Sequence, residues 1–288
     1  MSAAIARVLS IAGTDPTGGA GIQADLKSIA AAGGFGMSVV TALVAQNTQG
    51  VRDIHTPPLS FLRAQLDAVA DDVTIDAVKI GMLGSADLIE VIAQWLRETD
   101  PPLVVLDPVM IASSGDSLLA PDAIDALRGL IELVDVITPN VPELALLAGE
   151  PAAATFAEAI AQAQRFAAAH QVAVVAKSGH VEDAQAGNAY VWPDGKVHLA
   201  TAARIDTPNT HGTGCSLSSA LTTRLASGDS PEAAVTWTTQ WLRESIEHAS
   251  ALQVGHGHGP IDHSHRARRL ERLALAAKLS ARTSGAVF

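Results

Sequence analysis

The chain has 288 residues, of which 48% are hydrophobic and 17% charged, with a formal net charge of −11 at pH 7. That apolar content excludes a disordered chain, and an acidic balance with no basic run speaks against nucleic acid or an anionic membrane surface as partner. A single cysteine excludes an internal disulfide framework and suits a reducing cytoplasm.

No stretch of about 18 uncharged apolar residues suggests a membrane span. The N-terminus, with Arg7 inside the first apolar segment, reads as having no signal peptide. The apolar run 7–12 ends at Gly13 and predicts a buried strand. A glycine-rich loop over 14–21 follows, then a helix over 22–32 with Ile22, Leu26 and Ile29 at helical spacing. The β-branched run 37–45 predicts a second strand that ends in Gln46 and Asn47. Helices are expected over 58–69 and 85–97, the second capped by Ser85, with a strand over 77–82 between them. A strand over 103–106 leads to Asp107-Pro108, and Pro121 opens a helix over 121–133. A strand over 136–138 precedes Asn140 and a short helix to 148. Next come a helix over 155–170, a strand over 172–176 ending in Lys177, and a hairpin of strands 189–192 and 196–200. Helices over 217–225 and 231–249 close the pattern, and the tail from Gly255 is rich in Gly and His, then basic.

Strands alternating with helices predict an α/β fold with a mostly parallel sheet covered on both faces. One domain is expected over 1–265, followed by an extension over 266–288 that reads as a weak surface helix, then disorder. In such sheets ligands bind beyond the carboxyl ends of the strands. The polar strand-end residues Asp15, Gln46, Asp107, Asn140 and Lys177, with Met82, are therefore the candidates for one crevice.

The stretch 209–217, Asn-Thr-His-Gly-Thr-Gly-Cys-Ser-Leu, carries the sharpest chemistry. Gly212 and Gly214 let backbone N–H groups converge at a helix N-terminus, so Gly212, Thr213 and Gly214 predict an anion hole. Cys215 reads either as a small core residue or as a thiol whose pKa the helix end depresses. Asn140 and Glu143, at i and i+3, read either as a capping box or as a pair that organises Mg2+ and its waters. Lys177 is either an exposed strand-end lysine or a nucleotide-phosphate contact. Gly19 to Ala24 fits the looser GxGxxA fingerprint, but five residues separate it from Gly13, so a substrate-enclosing loop or a plain turn fits better than a dinucleotide site. His256, His258, His263 and His265 lack partnering ligands at metal spacing apart from Asp262, which favours packing over a metal cluster.

These motifs carry a resemblance. The segments Ile11-Ala12-Gly13-Thr14-Asp15-Pro16, 18–25, 41–48, Lys79-Ile80-Gly81-Met82-Leu83, Asp107-Pro108-Val109-Met110, Thr138-Pro139-Asn140 with Glu143, and 209–215 are similar to the hydroxymethylpyrimidine/phosphomethylpyrimidine kinases of thiamine biosynthesis. The chain resembles that family over about residues 7–265, which implies a ribokinase-like three-layer α/β/α sandwich. The resemblance implies two ATP-dependent phosphorylations, of 4-amino-5-hydroxymethyl-2-methylpyrimidine and then of its monophosphate. It implies Gln46 on the aminopyrimidine edge, Gly13, Asp15, Ala20, Val44, Met82 and Val109 in the substrate site, and Cys215 as general base. It further implies Gly212 to Gly214 as the anion hole, Lys177, Asn140 and Asp107 at ATP, and Glu143 with Asn140 at Mg2+ through water. A homodimer in the cytoplasm is expected. A vitamin B6 kinase of the same fold and a non-catalytic pyrimidine-binding protein are the alternatives.

Three positions depart from the family pattern: Ser113 and Pro208 where the family often has Lys, and Ser178 where it often has Gly. Loss of two positive charges bears on the second phosphorylation more than on the first.

Overall fold

The structure is a computed structural model that describes residues 5–110, 119–180 and 185–284. Ser113 lies outside the described residues. The central sheet has eight strands in the order β10-β9-β8-β7-β6-β5-β1-β2. Its members are β1 (Arg7–Ala12), β2 (Phe35–Val40), β5 (Ala77–Ile80), β6 (Val104–Leu106), β7 (Val136–Ile137), β8 (Ala173–Lys177), β9 (Gln185–Val191) and β10 (Val197–Ala203). Pairings from β2 across to β8 are parallel, while β9 and β10 continue antiparallel at one edge.

The short parallel strands are buried on both sides, so their residues alternate between two cores. Val104 and Leu106 join one cluster and Val105 the other; Val174 and Ala176 oppose Ala173 and Val175 in the same way. The first core is closed by α2 (Leu59–Ala70), α3 (Ala86–Thr99), α4 (Ile124–Ile131), α5 (Val141–Ala148) and α6 (Phe156–His170), through Leu62, Ile92, Leu127, Leu144 and Phe166. The second is closed by α1 (Gly21–Ala31), α7 (Thr213–Ala226) and α8 (Pro231–Glu247), with Leu217, Leu221, Val235 and Trp241 packed inward.

One expected strand is two. The run 37–45 breaks at Thr41 and Ala42, because Thr41 donates its N–H to Ala12 and Ala42 accepts from the N–H of Thr14. Beyond the break, β3 (Leu43–Asn47) pairs with β4 (Gly50–His55) as a separate two-stranded hairpin, a flap the periodicity did not predict. The tail is more regular than expected: α9 (His265–Ser284) docks on α8, where Arg266 and Arg269 hold Glu244 at 2.7 and 2.8 Å. Leu270, Leu273 and Leu275 on it stay exposed.

Strand order reverses at β1, whose successor β2 lies on one side and β5 on the other. A crevice opens at the carboxyl ends of strands at such a switch point. Gly13, Met82, Asp107 and Lys177 all stand at or just beyond those ends.

Candidate active site

The loop after β1 is built around Asp15, which is fully buried. Its Oδ1 accepts from the N–H and hydroxyl of Thr17, at 2.9 and 2.7 Å. Its Oδ2 accepts from the N–H groups of Gly19 and Ala20, at 3.0 and 2.8 Å, and from His211 Nε2 at 2.8 Å. Burial alone would raise this carboxyl, but the hydrogen bonds from His211, Thr17 and Ala20 hold it well below the usual carboxylate range. Both oxygens are committed to the loops, so Asp15 is a clamp between the glycine loop and the loop before α7. It is not the substrate contact expected from the sequence.

The clamp sets a pH dependence. The folded-state pKa lies below the unfolded value of about 3.9, so the stabilisation is full above that value and is lost progressively as pH falls from it through the folded-state pKa. Asp15→Asn is expected to lower unfolding stability at pH 7 by about 2 kcal/mol, and the gap from wild type to shrink below pH ~4. Urea titrations from pH 3 to 7 measure it; a gap that does not change with pH would contradict the assignment.

The loop ends in Gly212, the N-cap of α7, with φ of 78°. A Cβ there would sit 1.7 Å from the carbonyl oxygen of Gly19, so the glycine loop and the helix entry touch where no side chain fits. Among the described residues, the N–H groups of Gly214 and Cys215 make no hydrogen bond, as expected of a free helix N-terminus. A Cβ on Gly214 would lie 3.5 Å from Lys177 Nζ and 3.6 Å from Asp107 Oδ2. The anion hole and these two strand-end groups therefore share one small space.

Asp107 is buried, accepting from the Thr138 hydroxyl at 2.9 Å and from Lys177 Nζ at 3.2 Å. Burial pushes the Lys177 ammonium down, but Asp107 and Glu143 outweigh it and raise its pKa, keeping it charged. Asn140 and Glu143 form the capping box: Glu143 N–H donates to Asn140 Oδ1 and Asn140 N–H to Glu143 Oε2, both at 2.8 Å. The Asn140 side-chain oxygen thus accepts the cap hydrogen bond, while its amide nitrogen makes no hydrogen bond among the described residues. Glu143 combines both readings. Its buried carboxyl is pushed up to about 7, chiefly by burial, with Lys177 pulling it down and Asp107 pushing it up. A hard divalent cation favours such an oxygen donor in its ionised form, so the residue fits Mg2+.

Three of the residues expected around the ring, Gly13, Val44 and Met82, lie together. A Cβ on Gly13 would approach Met82 Sδ to 3.1 Å and Val44 Cγ2 to 3.7 Å. Thr41 fixes Met82 by donating its hydroxyl to the Met82 carbonyl at 2.7 Å, and Thr14 Oγ1 fixes Val44 by accepting its N–H at 3.0 Å. Ala20 is the N-cap of α1, and Val109 donates its N–H to the Asp107 carbonyl at 2.8 Å. Gln46 sits at a register shift in the β3–β4 flap, half-buried, and its side chain makes no hydrogen bond among the described residues. A polar group so placed is available to a ligand.

Cys215 differs from the expected low-pKa thiol. Burial pushes the thiol up to about 11, with Asp25 and Asp107 adding to the rise and Lys79 and the Gly21 N–H working against it. The helix end is outweighed because burial disfavours the charged form more than partial dipoles favour it.

Residues outside the sequence argument complete the site. His211 clamps Asp15, and the tail 255–260 threads between the flap and the α7 entry. Thr48, at the flap turn, accepts from the N–H of Gly257 through its hydroxyl at 3.1 Å and from the N–H of His258 through its carbonyl at 2.9 Å. Gly259 passes its carbonyl to His211 N–H at 3.1 Å. The alternating Gly255, Gly257 and Gly259 were the available signal, since glycines at a two-residue period mark close backbone approach on one face. The tail histidines serve separate roles: His263 Nε2 meets the Ser216 hydroxyl at 2.9 Å, and His265 stacks on His248. Ser178 and Pro208 also stay local: Ser178 Oγ accepts from the N–H of Gly187 at 2.6 Å, and the Pro208 carbonyl accepts from Thr210 at 3.1 Å.

Comparison with known proteins places this arrangement. A family model described as phosphomethylpyrimidine kinase matches residues 15–262. The thiamine biosynthesis multifunctional protein ThiED of Corynebacterium efficiens is 60% identical over 268 residues, covering 93% of this chain but 36% of that protein. The chain therefore spans about a third of that relative's length. The hydroxymethylpyrimidine/phosphomethylpyrimidine kinase of Salmonella typhimurium is 47% identical over 258 residues, covering 89% of this chain and 97% of the relative. Among solved structures, an ADP complex of Bacillus subtilis pyridoxal kinase superposes with a TM-score of 0.82 at 32% identity, covering 91% of this chain and 98% of that one. The parallel sheet, its two helical layers and this match make the fold ribokinase-like. On the extent of both the family match and the full-length relative, this chain belongs to the phosphomethylpyrimidine kinase family.

Proposed function

We propose that this chain transfers the γ-phosphoryl group of ATP to 4-amino-5-hydroxymethyl-2-methylpyrimidine, and then a second phosphoryl group to the resulting monophosphate. The observation that carries the reading is the meeting of Gly214, Lys177 and Asp107 at the entry of α7, beside Cys215. Gly13, Val44 and Met82 hold the ring, and Gln46 hydrogen-bonds its amino edge. The N–H groups of Gly214 and Cys215, with Lys177, receive the charge of the transferring phosphoryl group. The hydroxymethyl oxygen attacks the γ-phosphorus as its proton passes to the Cys215 thiolate, and the bond to ADP breaks. The thiol then returns that proton to solvent. When bound beside Glu143 through water, Mg2+ supplies charge neutralisation on the ATP phosphates.

Phosphorylated product measured by mass, from ATP, Mg2+ and the hydroxymethylpyrimidine with pyridoxine in parallel, tests the reading. Monophosphate and pyrophosphate together are the expected result. Monophosphate alone would mean that the changes at Ser113 and Pro208 cost the second step. Product from pyridoxine alone would support the B6-kinase alternative, which shares this fold. No product from either would favour a non-catalytic pyrimidine-binding protein.

Gln46→Ala is expected to weaken pyrimidine binding about tenfold, the worth of one ligand hydrogen bond, with ATP binding unchanged. Calorimetric titration measures both; unaltered pyrimidine affinity would remove Gln46 from the site. We place the protein in the cytoplasm as a homodimer. The lone cysteine supports the compartment, and no described helix is long and apolar enough to cross a membrane. Exposed Phe35 and Phe61, on edge strand β2 and on α2 packed against it, support the dimer. Residues 1–265 are taken as the kinase domain and 266–288 as its extension.

A further inference from the structure

Four polar residues meet in the interior beneath Cys215, each fully buried and each from a different element. Lys79 from β5 donates to both oxygens of Asp25 from α1, at 2.9 Å each. Ser10 from β1 donates its hydroxyl to Asp25 at 2.6 Å, and Ser219 from α7 donates its own at 2.8 Å. Lysine is almost never fully buried, and a buried ion pair often contributes no more stability than well-packed apolar residues of the same volume. Stability alone is therefore a poor reason for this pair.

Position offers a better one. Ser219 lies four residues after Cys215, one turn further along the same face of α7, so the pair sits directly behind the thiol. The ammonium is packed against Gly81, where a Cβ would come within 2.8 Å of Nζ, and the next residue is Met82 of the ring pocket. Lys79 has three N–H donors, of which Asp25 takes at most two, and none donates to any other described residue.

We propose that the Lys79–Asp25 pair is a positioning device for the general base: it fixes one permanent positive charge behind Cys215 and so sets how much thiolate the site holds. The inference rests on the reading of Cys215 as base. Lys79 is the main positive charge acting on the thiol, opposed by Asp25 and Asp107, with the Gly21 N–H a smaller influence and Lys177 interacting with it as well. Burial works against the Lys79 charge, but Asp25, Cys215 and Asp107 together keep it protonated. A protonated thiol accepts nothing, so in a buried site the thiolate fraction limits the base. A fixed cation raises that fraction.

Cys215 is the sole cysteine, so its alkylation by iodoacetamide reports its ionisation without interference. The test compares wild type with Asp25→Asn/Lys79→Gln, which keeps the hydrogen-bonding shape without charge, and with Asp25→Leu/Lys79→Met, which is apolar; whichever folds by circular dichroism is used. Alkylation rates from pH 7 to 11 and kcat over the same range are measured. Because Lys79 acts on the thiol more strongly than Asp25 opposes it, the neutral pair is expected to move the alkylation profile up by the difference, about half a pH unit, slowing the reaction about threefold at pH 9, with kcat falling in parallel. A superimposable alkylation profile would overturn the inference, even if kcat falls, because the pair would then be structural. A shifted profile with unchanged kcat would sustain the Lys79 effect and refute Cys215 as base.

Discussion

Cys215→Ala is expected to lower kcat by roughly 10²- to 10⁴-fold, the range general-base catalysis contributes, while pyrimidine and ATP affinities stay within a factor of about two. In the proposed reading the sulfur meets the reacting oxygen and not the ring, which would rest on Gly13, Val44 and Met82. The pH profile sharpens the test. With the thiol pushed up to about 11, the thiolate is a small minority near neutrality. Wild-type kcat should therefore climb about tenfold per pH unit between 7 and 9, and the residual activity of the alanine variant should not. Equal turnover in the two proteins, or the same pH slope, would remove Cys215 from the proton transfer.

Gly212→Ala is expected to be the most damaging single methyl group in the site. The added Cβ would stand 1.7 Å from the Gly19 carbonyl, at a φ of 78° that L side chains rarely adopt. Either the glycine loop moves or α7 does, and the Asp15 clamp resists both because it holds Gly19, Ala20 and His211 together. We expect a stability loss of roughly 2 kcal/mol or more, and a kcat loss of at least ~10²-fold as the hole opens. Gly214→Ala is the control. Its Cβ would meet Lys177 and Asp107 at 3.5 and 3.6 Å, ordinary contact distances, so the fold should hold. Melting curves and single-turnover rates on both variants measure this; equal stability of the two would contradict the packing argument.

The role of the capping box shows how one pair of residues serves two readings. On spacing alone Asn140 and Glu143 are a helix start or a metal pair. The structure makes the helix start real, and this same cap places the Glu143 carboxyl beside Lys177 and Asp107. Local structure thereby positions a buried carboxyl beside the strand-end charges, and a divalent cation bound there would have to displace its proton near neutrality.

Local and periodic features were legible before any contact was known. The apolar runs at 7–12, 77–80 and 104–106 were legible as strands because both their faces are buried. The helices at 59–70, 86–99 and 156–170 were legible, the first from its 3.6-residue apolar spacing and the second from its cap at Ser85. Strand-end residues and the glycines before Cys215 pointed to one crevice, because a parallel sheet gathers its carboxyl ends on one side. Tertiary structure alone decided what depends on contacts distant in the chain. The run through Ala45 became a strand and a flap because Thr14 and Ala12 compete for its backbone. Asp15 became a clamp because His211, 196 residues away, reaches it. The thiol pKa rose instead of falling because burial and two carboxylates act through space, and Lys79 became the charge behind it because four elements close around it. Periodicity encodes which face is buried; it carries no information on which buried polar groups will meet.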